Sequence, residues 1–352
     1  MNLKRAIIVY NPMAGRPGRR AENVRAMTRL LEARGIRADA FATTGPEDAS
    51  RIASNAVSDG VDIVISYGGD GTLNEVIQGM AGSQTALAAW PGGTANVVAR
   101  DLAIPSDMTH LADVIAAGKT KRIALGLAKT GSGVEKTASG FRAPSSAFEA
   151  ASTRSQIGPS NCEPRTRNPE PGTEKYEPGI RNPEPETHSE RYFLMMAGIG
   201  IDASIARGVN KRLKRMIGEL AYWWCGIKYI FLRRAEVFSI DVDGRRFESA
   251  FALIGKGKGY GGGMTMTPEA KLEEPWFEVF ILPPLRNNFS YLRAVAACKR
   301  GTPEAAGAML VKGTHIKANS TEEPWVEVDG EVIGPLPMSF EVVPDALSVI
   351  IP

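Results

Sequence analysis

Residues that hold soft metals or run redox chemistry are scarce in this chain. Its 352 residues include only three cysteines and three histidines. Cys162, Cys225 and Cys298 show no metal-ligand spacing and cannot all pair, so the expected compartment is a reducing, cytoplasmic one. His110, His188 and His315 have no partner pattern nearby, which gives no support to histidine-based catalysis. Long apolar runs are missing too. None approaches the roughly 18 residues that cross a bilayer, so any membrane contact is expected to be peripheral. The first residues, Met1 to Arg5, lack the apolar core of a signal peptide. A net charge of +3 is too small to point to nucleic acid. Two common nucleotide signatures are also absent: the first strand is not followed by Gly-x-Gly-x-x-Gly, and no Gly-x-x-x-x-Gly-Lys-Ser/Thr occurs.

What is present is a glycine-rich turn with a carboxylate inside it. Ser66-Tyr67-Gly68-Gly69-Asp70-Gly71-Thr72-Leu73-Asn74-Glu75 follows the apolar run Asp62 to Ile65 and precedes a helical pattern, Leu73, Val76, Ile77 and Met80. A strand that feeds a glycine turn and then a helix leaves N–H groups unpaired, which suits a phosphate. An aspartate among phosphates implies a bridging divalent metal, loop ordering or proton handling.

Two more such loops occur. Asn11-Pro12-Met13-Ala14-Gly15-Arg16, with Arg19 and Arg20 beyond it, follows the strand Ala6–Tyr10. Pro91-Gly92-Gly93-Thr94-Ala95-Asn96 follows the strand Thr85–Trp90. Helices are predicted over Ala21–Arg34 and Pro46–Ser58, with a strand from Ile36 to Thr44 between them. This β-α alternation predicts a largely parallel sheet covered by helices, with all three loops on its ligand-binding edge.

From about residue 191 the pattern changes to hairpins. Asp243-Gly244 separates Val237–Val242 from Arg246–Ile254, and Asp329-Gly330 separates Trp325–Val328 from Glu331–Ile333. The expected division is a nucleotide-binding α/β domain over 1–124 and an antiparallel β-rich domain over 125–352. At about 130–190 lies an insertion rich in Pro, Glu, Thr and Ser. It repeats Arg-Asn-Pro-Glu-Pro at Arg167 and at Arg181, and its composition predicts disorder.

These motifs, in this order, resemble the diacylglycerol kinase catalytic-domain family, which includes bacterial lipid kinases and sphingosine kinases. Gly198-Ile199-Gly200-Ile201-Asp202-Ala203, Tyr260-Gly261-Gly262-Gly263-Met264 and Val328-Asp329-Gly330-Glu331 continue the likeness across nearly the whole chain outside the insertion. The resemblance implies an ATP-binding α/β domain, a β-sandwich-like second domain and a site between them. It implies ATP and Mg²⁺ as cofactors and a hydroxyl of diacylglycerol or a related lipid as acceptor. By position, Asn11, Gly15, Arg16, Gly68, Gly69, Gly71, Thr72, Glu75, Gly93, Thr94 and Asn96 would hold the nucleotide. Asp70 would organise metal and phosphate, and it doubles as a catalytic residue. Asp329 and Glu331 would be the catalytic acidic pair, with Asp329 the preferred base. On this reading Asp329→Asn loses activity and keeps its fold.

The chain departs from the family at three places. Val97 stands where many members have Asp, Lys256 where Asn is usual, and Glu273-Glu274-Pro275 where Asp-Asp-Gly is usual. Residues 205–234 make a basic amphipathic pattern. Leu213, Met216, Ile217, Leu220 and Trp224 recur at helical spacing among Lys211, Arg212, Lys214 and Arg215. Such a segment suits an anionic membrane surface at the cytoplasmic face. A homodimer is left open. Two other readings stand beside the lipid kinase: a soluble small-molecule kinase of the NAD-kinase type, and a catalytically silent nucleotide-binding regulator, for which Val97 speaks.

Overall fold

The strand β1 (Arg5–Tyr10) shows how the first sheet is covered. Ala6 and Ile8 point to one face, while Ile7 and Val9 point to the other, and all four are buried. A strand buried on both sides must be sandwiched between helices. On one face, α1 (Arg19–Glu32) contributes Val24, Met27 and Leu31, and α5 (Met108–Ala117) contributes Leu111 and Ile115. On the other, α2 (Asp48–Ser58) and α3 (Asp70–Met80) contribute Ala49, Ala53, Val76 and Ile77. The parallel strands β2 (Arg37–Ala42), β3 (Ile63–Gly68) and β4 (Ala86–Pro91) flank β1 in the order β2-β1-β3-β4. A short helix, α4 (Val97–Asp101), follows β4. Gly35 closes the α1 turn with φ +80°, the left-handed conformation that glycine adopts without strain.

The chain is described here from a computed structural model over residues 4–13, 19–131, 190–200, 236–260, 264–285, 288–322 and 324–352. Gly15, Arg16, Gly261 to Gly263, the amphipathic segment 205–234 and nearly all of the insertion lie outside the described residues. All described elements fall in one unit.

The remaining strands are antiparallel to their neighbours with one exception. They are β5 (Thr120–Thr130), β6 (Glu190–Phe193), β7 (Met196–Gly200), β8 (Phe238–Val242), β9 (Arg245–Ser249), β10 (Phe251–Gly255), β11 (Gly259–Tyr260), β12 (Met264–Thr265), β13 (Phe277–Leu282), β14 (Met309–Gly313), β15 (His315–Asn319), β16 (Trp325–Val328), β17 (Glu331–Pro335) and β18 (Met338–Ile350). Among the described residues one α-helix, α6 (Asn288–Lys299), and a short 3-10 turn, Pro303–Ala306, lie between them. The exception is β18, which pairs parallel with β4 and antiparallel with β5 and β15. It thereby joins the N-terminal strands to the C-terminal ones in a ten-stranded sheet, while β14-β13-β10-β7-β16-β17 form a second sheet of six. Phe193, Phe238, Ile240, Ile254, Val279 and Phe340 belong to the shared apolar layer of these strands.

Both expected hairpins form. Asp243 and Gly244 have φ of 47° and 85°, and Asp329 and Gly330 have 48° and 87°, the paired positive values of a type I′ turn. One expectation is corrected. Arg246–Ile254 is not one strand, because the chain breaks at Ala250 and changes sheet. There the Ser249 hydroxyl donates to the carbonyls of Phe251 and Leu282, which stabilises the bend. β9 stays with β8, and β10 joins the six-stranded sheet.

Candidate active site

The loop after β3 and the loop after β4 are built against each other. Gly93 approaches Gly69 so closely that a Cβ on Gly93 would lie 2.5 Å from the Gly69 Cα. Gly68 is equally confined, with its Cβ position 2.5 Å from the Cβ of Thr72. Asn96, in a left-handed conformation, accepts from the Gly93 N–H at 2.9 Å and returns its amide to the Gly93 carbonyl at 2.8 Å. Thr94 is exposed within that loop. Asp70 Oδ1 accepts the Val97 N–H at 2.8 Å, so the first residue of α3 anchors the start of α4. Gly93→Ala is therefore expected to push the two loops apart. The nucleotide that the sequence leads us to expect there should then bind about tenfold or more weakly, since 1.4 kcal/mol suffices for that. Calorimetric titration with ATP checks this.

Arg20 is buried and serves these loops rather than solvent. Its guanidinium donates to the carbonyls of Tyr67 at 3.1 Å and Gly92 at 2.6 Å and lies 4.6 Å above the Tyr67 ring. Tyr67 in turn stacks on Trp90 at 3.7 Å. In the first loop, Asn11 accepts the Met13 N–H at 2.9 Å and so orders its own turn. A shallow cleft between the loops is lined by Ser66, Gly68, Gly69, Asp70, Pro91 and Asn96. The Ser66 hydroxyl there is buried without a hydrogen-bond partner.

From Asp70 the helix α3 leads to the acidic hairpin. Asp70, Asn74 and Gln78 are four residues apart and share a face. Gln78 pairs with the Tyr192 main chain in both directions, at 2.9 Å each way, which fixes β6 on the helix. Asn74 donates to Asp329 Oδ2 at 2.9 Å, and its oxygen accepts from Arg191 at 3.1 Å. Arg191 also pairs with Glu331.

The two hairpin carboxylates have different surroundings. Asp329 Oδ2 accepts from Leu194 N–H at 2.7 Å in addition to Asn74, and Oδ1 accepts from Met195 and Met196 N–H at 2.9 and 3.0 Å. Enclosure raises this carboxyl above its ordinary range, while the four donors pull the other way. Its acceptor positions are filled. The Glu331 side chain is 38% exposed, and its Oε1 lies 3.8 Å from where a Gly71 Cβ would be. It thus stands over the first turn of α3. Glu75 lies near enough to feel its charge, and the Ala49 backbone at the start of α2 favours the charged Glu75. Burial, and then the Glu331 charge, raise the Glu75 carboxyl.

For a divalent metal the donor set is sparse. Among the described residues no three His, Cys, Asp or Glu side chains converge. With Oδ1 engaged by Val97, Asp70 offers one oxygen, Oδ2. Mg²⁺ is commonly held by one or two carboxylates plus substrate phosphates and water. These residues therefore fit a metal that arrives on a nucleotide.

The structure brings Asp70, Gly68, Gly69, Gly93 and Asn96 together, and sets Glu331 over the first turn of α3, which carries Glu75. Arg191, Gln78 and the structural part of Asn74 were missed by sequence reasoning. Polar residues at four-residue spacing on an otherwise apolar helix face were the available signal for Asn74 and Gln78.

A ligand-binding edge of glycine loops, tied by one helix to an acidic hairpin, is the layout of a phosphotransferase. Comparison with known proteins makes this specific. Residues 5–128 match the model of the diacylglycerol kinase catalytic domain, and residues 196–351 match the YegS C-terminal NAD kinase beta sandwich-like domain. A diacylglycerol kinase of Bacillus subtilis (strain 168) is 26% identical over 344 residues, covering 96% of this chain and 93% of that one. A diacylglycerol kinase of Staphylococcus aureus (strain MRSA252) is 26% identical over 343 residues, 96% and 89% of the two chains. The crystal structure of a diacylglycerol kinase from Bacillus anthracis str. Sterne superposes with a TM-score of 0.69 at 19% identity, covering 100% of this chain and 98% of that one, which shows the shared fold. The chain belongs to the diacylglycerol kinase catalytic-domain family and is a kinase by that membership.

Proposed function

We propose that the protein transfers the γ-phosphoryl group of ATP to a hydroxyl of diacylglycerol or a closely related lipid. The observation that carries this reading is the placement of Glu331 over the first turn of the helix that the glycine loop opens. A carboxylate there stands where an acceptor hydroxyl must meet a bound terminal phosphate. Phosphoryl transfer asks little covalent work of a protein; it needs alignment and charge neutralisation.

The N–H groups at the start of α3 and the Gly93 loop cradle the phosphates. Asp70 would hold a nucleotide-borne Mg²⁺, and that ion would supply neutralisation of the phosphate charge. Glu331 accepts the proton of the lipid hydroxyl, and Arg191 orients it. Asp329 acts behind it as the fixed post of the β6–β7 turn. This reverses the order of preference within the acidic pair, because a carboxylate with four donors has no lone pair left for an incoming hydroxyl. Asn11, Thr94 and Thr72 bind the nucleotide at the loop rims, joined by Gly15 and Arg16 from outside the described residues.

Access to a lipid is proposed through the basic segment 205–234 at the cytoplasmic membrane face. Among the described residues no helix is long and apolar enough to cross a membrane. The reading is tested by incubating the protein with γ-labelled ATP and total lipid extract, then identifying the labelled product. Label in a phosphorylated diacylglycerol supports it. Label only in water-soluble products supports a small-molecule kinase, and ATP binding without any product supports a silent regulator.

A further inference from the structure

A fully buried lysine lies behind the acidic hairpin. Lys256 follows the last residue of β10 and is entirely enclosed. Its Nζ donates to the carbonyl of Lys271 at 2.8 Å and to that of Glu274 at 2.6 Å. The main-chain N–H groups of Lys256 and Gly257 both donate to the Met195 carbonyl, at 2.8 and 3.0 Å. Met195 is the middle one of the three residues whose N–H groups hold Asp329. Lys256 and the Glu273-Glu274-Pro275 turn are two of the three departures from the family pattern, and here they touch each other. The longer side chain at 256 reaches carbonyls that an asparagine, two atoms shorter, would leave without this donor.

We propose that Lys256 is a positioning residue: by pinning the 271–274 turn to the end of β10, it fixes the Met195 peptide and, through it, the Asp329 carboxylate. The proposal rests on reading Asp329 and Glu331 as the kinase's acidic pair.

Charge does not alter the clamp. A neutral amine keeps two donors and an ammonium has three, so either form bridges both carbonyls. Burial pushes the Lys256 ammonium down to about 8, while Glu273 and Glu274 oppose the shift. Around it, Glu273 pairs with Lys121 at 2.6 Å, and Glu274 accepts from the Trp276 indole at 3.2 Å. An unfolded lysine titrates at about 10.4. Between about 8 and that value the unfolded chain binds the proton more tightly than the folded one, so the Lys256 contribution to stability rises with pH across this window.

The test uses the full chain as wild type, Lys256→Met and Lys256→Arg. Hydrogen exchange in Lys256→Met should accelerate by about tenfold or more both at 271–276 and at the Leu194 to Met196 amides. Lys256→Arg should restore most of that protection. The kcat for lipid should fall about tenfold in Lys256→Met, with KM for ATP unchanged. Acceleration confined to 271–276 would show a local tie only and would overturn the proposal. So would an unchanged kcat. If Lys256→Met does not fold, the same exchange measurement is made on Lys256→Gln, whose side chain is one bond shorter. Faster exchange both at 271–276 and at the Leu194 to Met196 amides supports the clamp, and acceleration confined to 271–276 overturns it. Exchange needs no lipid turnover, so it decides this point even if the lipid reading fails.

Discussion

Asp329→Asn is expected to cost the protein both stability and turnover. The carboxylate takes four hydrogen bonds, three of them from consecutive main-chain N–H groups. Asparagine offers one acceptor oxygen, and its amide would present donors to two groups that are themselves donors. Hydrogen bonds to a charged group contribute roughly 1.5–3 kcal/mol each, and a buried donor left without a partner costs about 1–3 kcal/mol. A loss on the order of 3–6 kcal/mol follows, a large part of the 5–15 kcal/mol that typically holds a domain. The urea midpoint should drop sharply. A variant as stable as wild type would mean that the β6–β7 turn does not depend on this carboxylate. The expectation drawn from sequence is lost activity with an intact fold; the four hydrogen bonds on this carboxylate lead us to expect lost stability as well.

Glu331→Gln is expected to cost mainly turnover. The side chain is partly exposed, so its removal from the ion pair with Arg191 leaves a glutamine oxygen that still accepts. Stability should fall by about 1–3 kcal/mol, because Arg191 is buried and loses its counter-charge while keeping an acceptor. Turnover should fall by about 10²–10⁴-fold, the usual contribution of a positioned proton acceptor. ATP affinity should stay near wild type, because the proposed role of Glu331 is toward the acceptor hydroxyl and not the nucleotide. Full turnover in this variant, beside a dead but folded Asp329→Asn, would hand the role back to Asp329.

The loops were legible because their conformations demand particular residues. Glycines, prolines and an asparagine punctuate the ends of β1, β3 and β4, and Asp-Gly pairs announced both type I′ turns. Local spacing also showed which helix faces were apolar. What stayed hidden is non-local. Asn74 and Asp329 are 255 residues apart, and Arg191 lies 117 residues from Asn74 and 140 from Glu331. No period or cap links such positions. The return of β18 to β4 is of the same kind, as is the sheet change at Ala250. Lys256 stood out in the sequence as a departure, yet its meaning depends on a turn 15 to 18 residues downstream that only the fold brings to it.

One measurement bears most directly on the account. Purified wild type, Glu331→Gln and Asp329→Asn are each given γ-labelled ATP and dioleoylglycerol in mixed micelles, with folding followed in the same samples by near-ultraviolet circular dichroism. The expected result is labelled phosphatidate from wild type, almost none from a folded Glu331→Gln, and none from a destabilised Asp329→Asn. Wild type that binds ATP but leaves the lipid unlabelled would contradict the proposed lipid kinase activity, and a fully active Glu331→Gln would contradict the site.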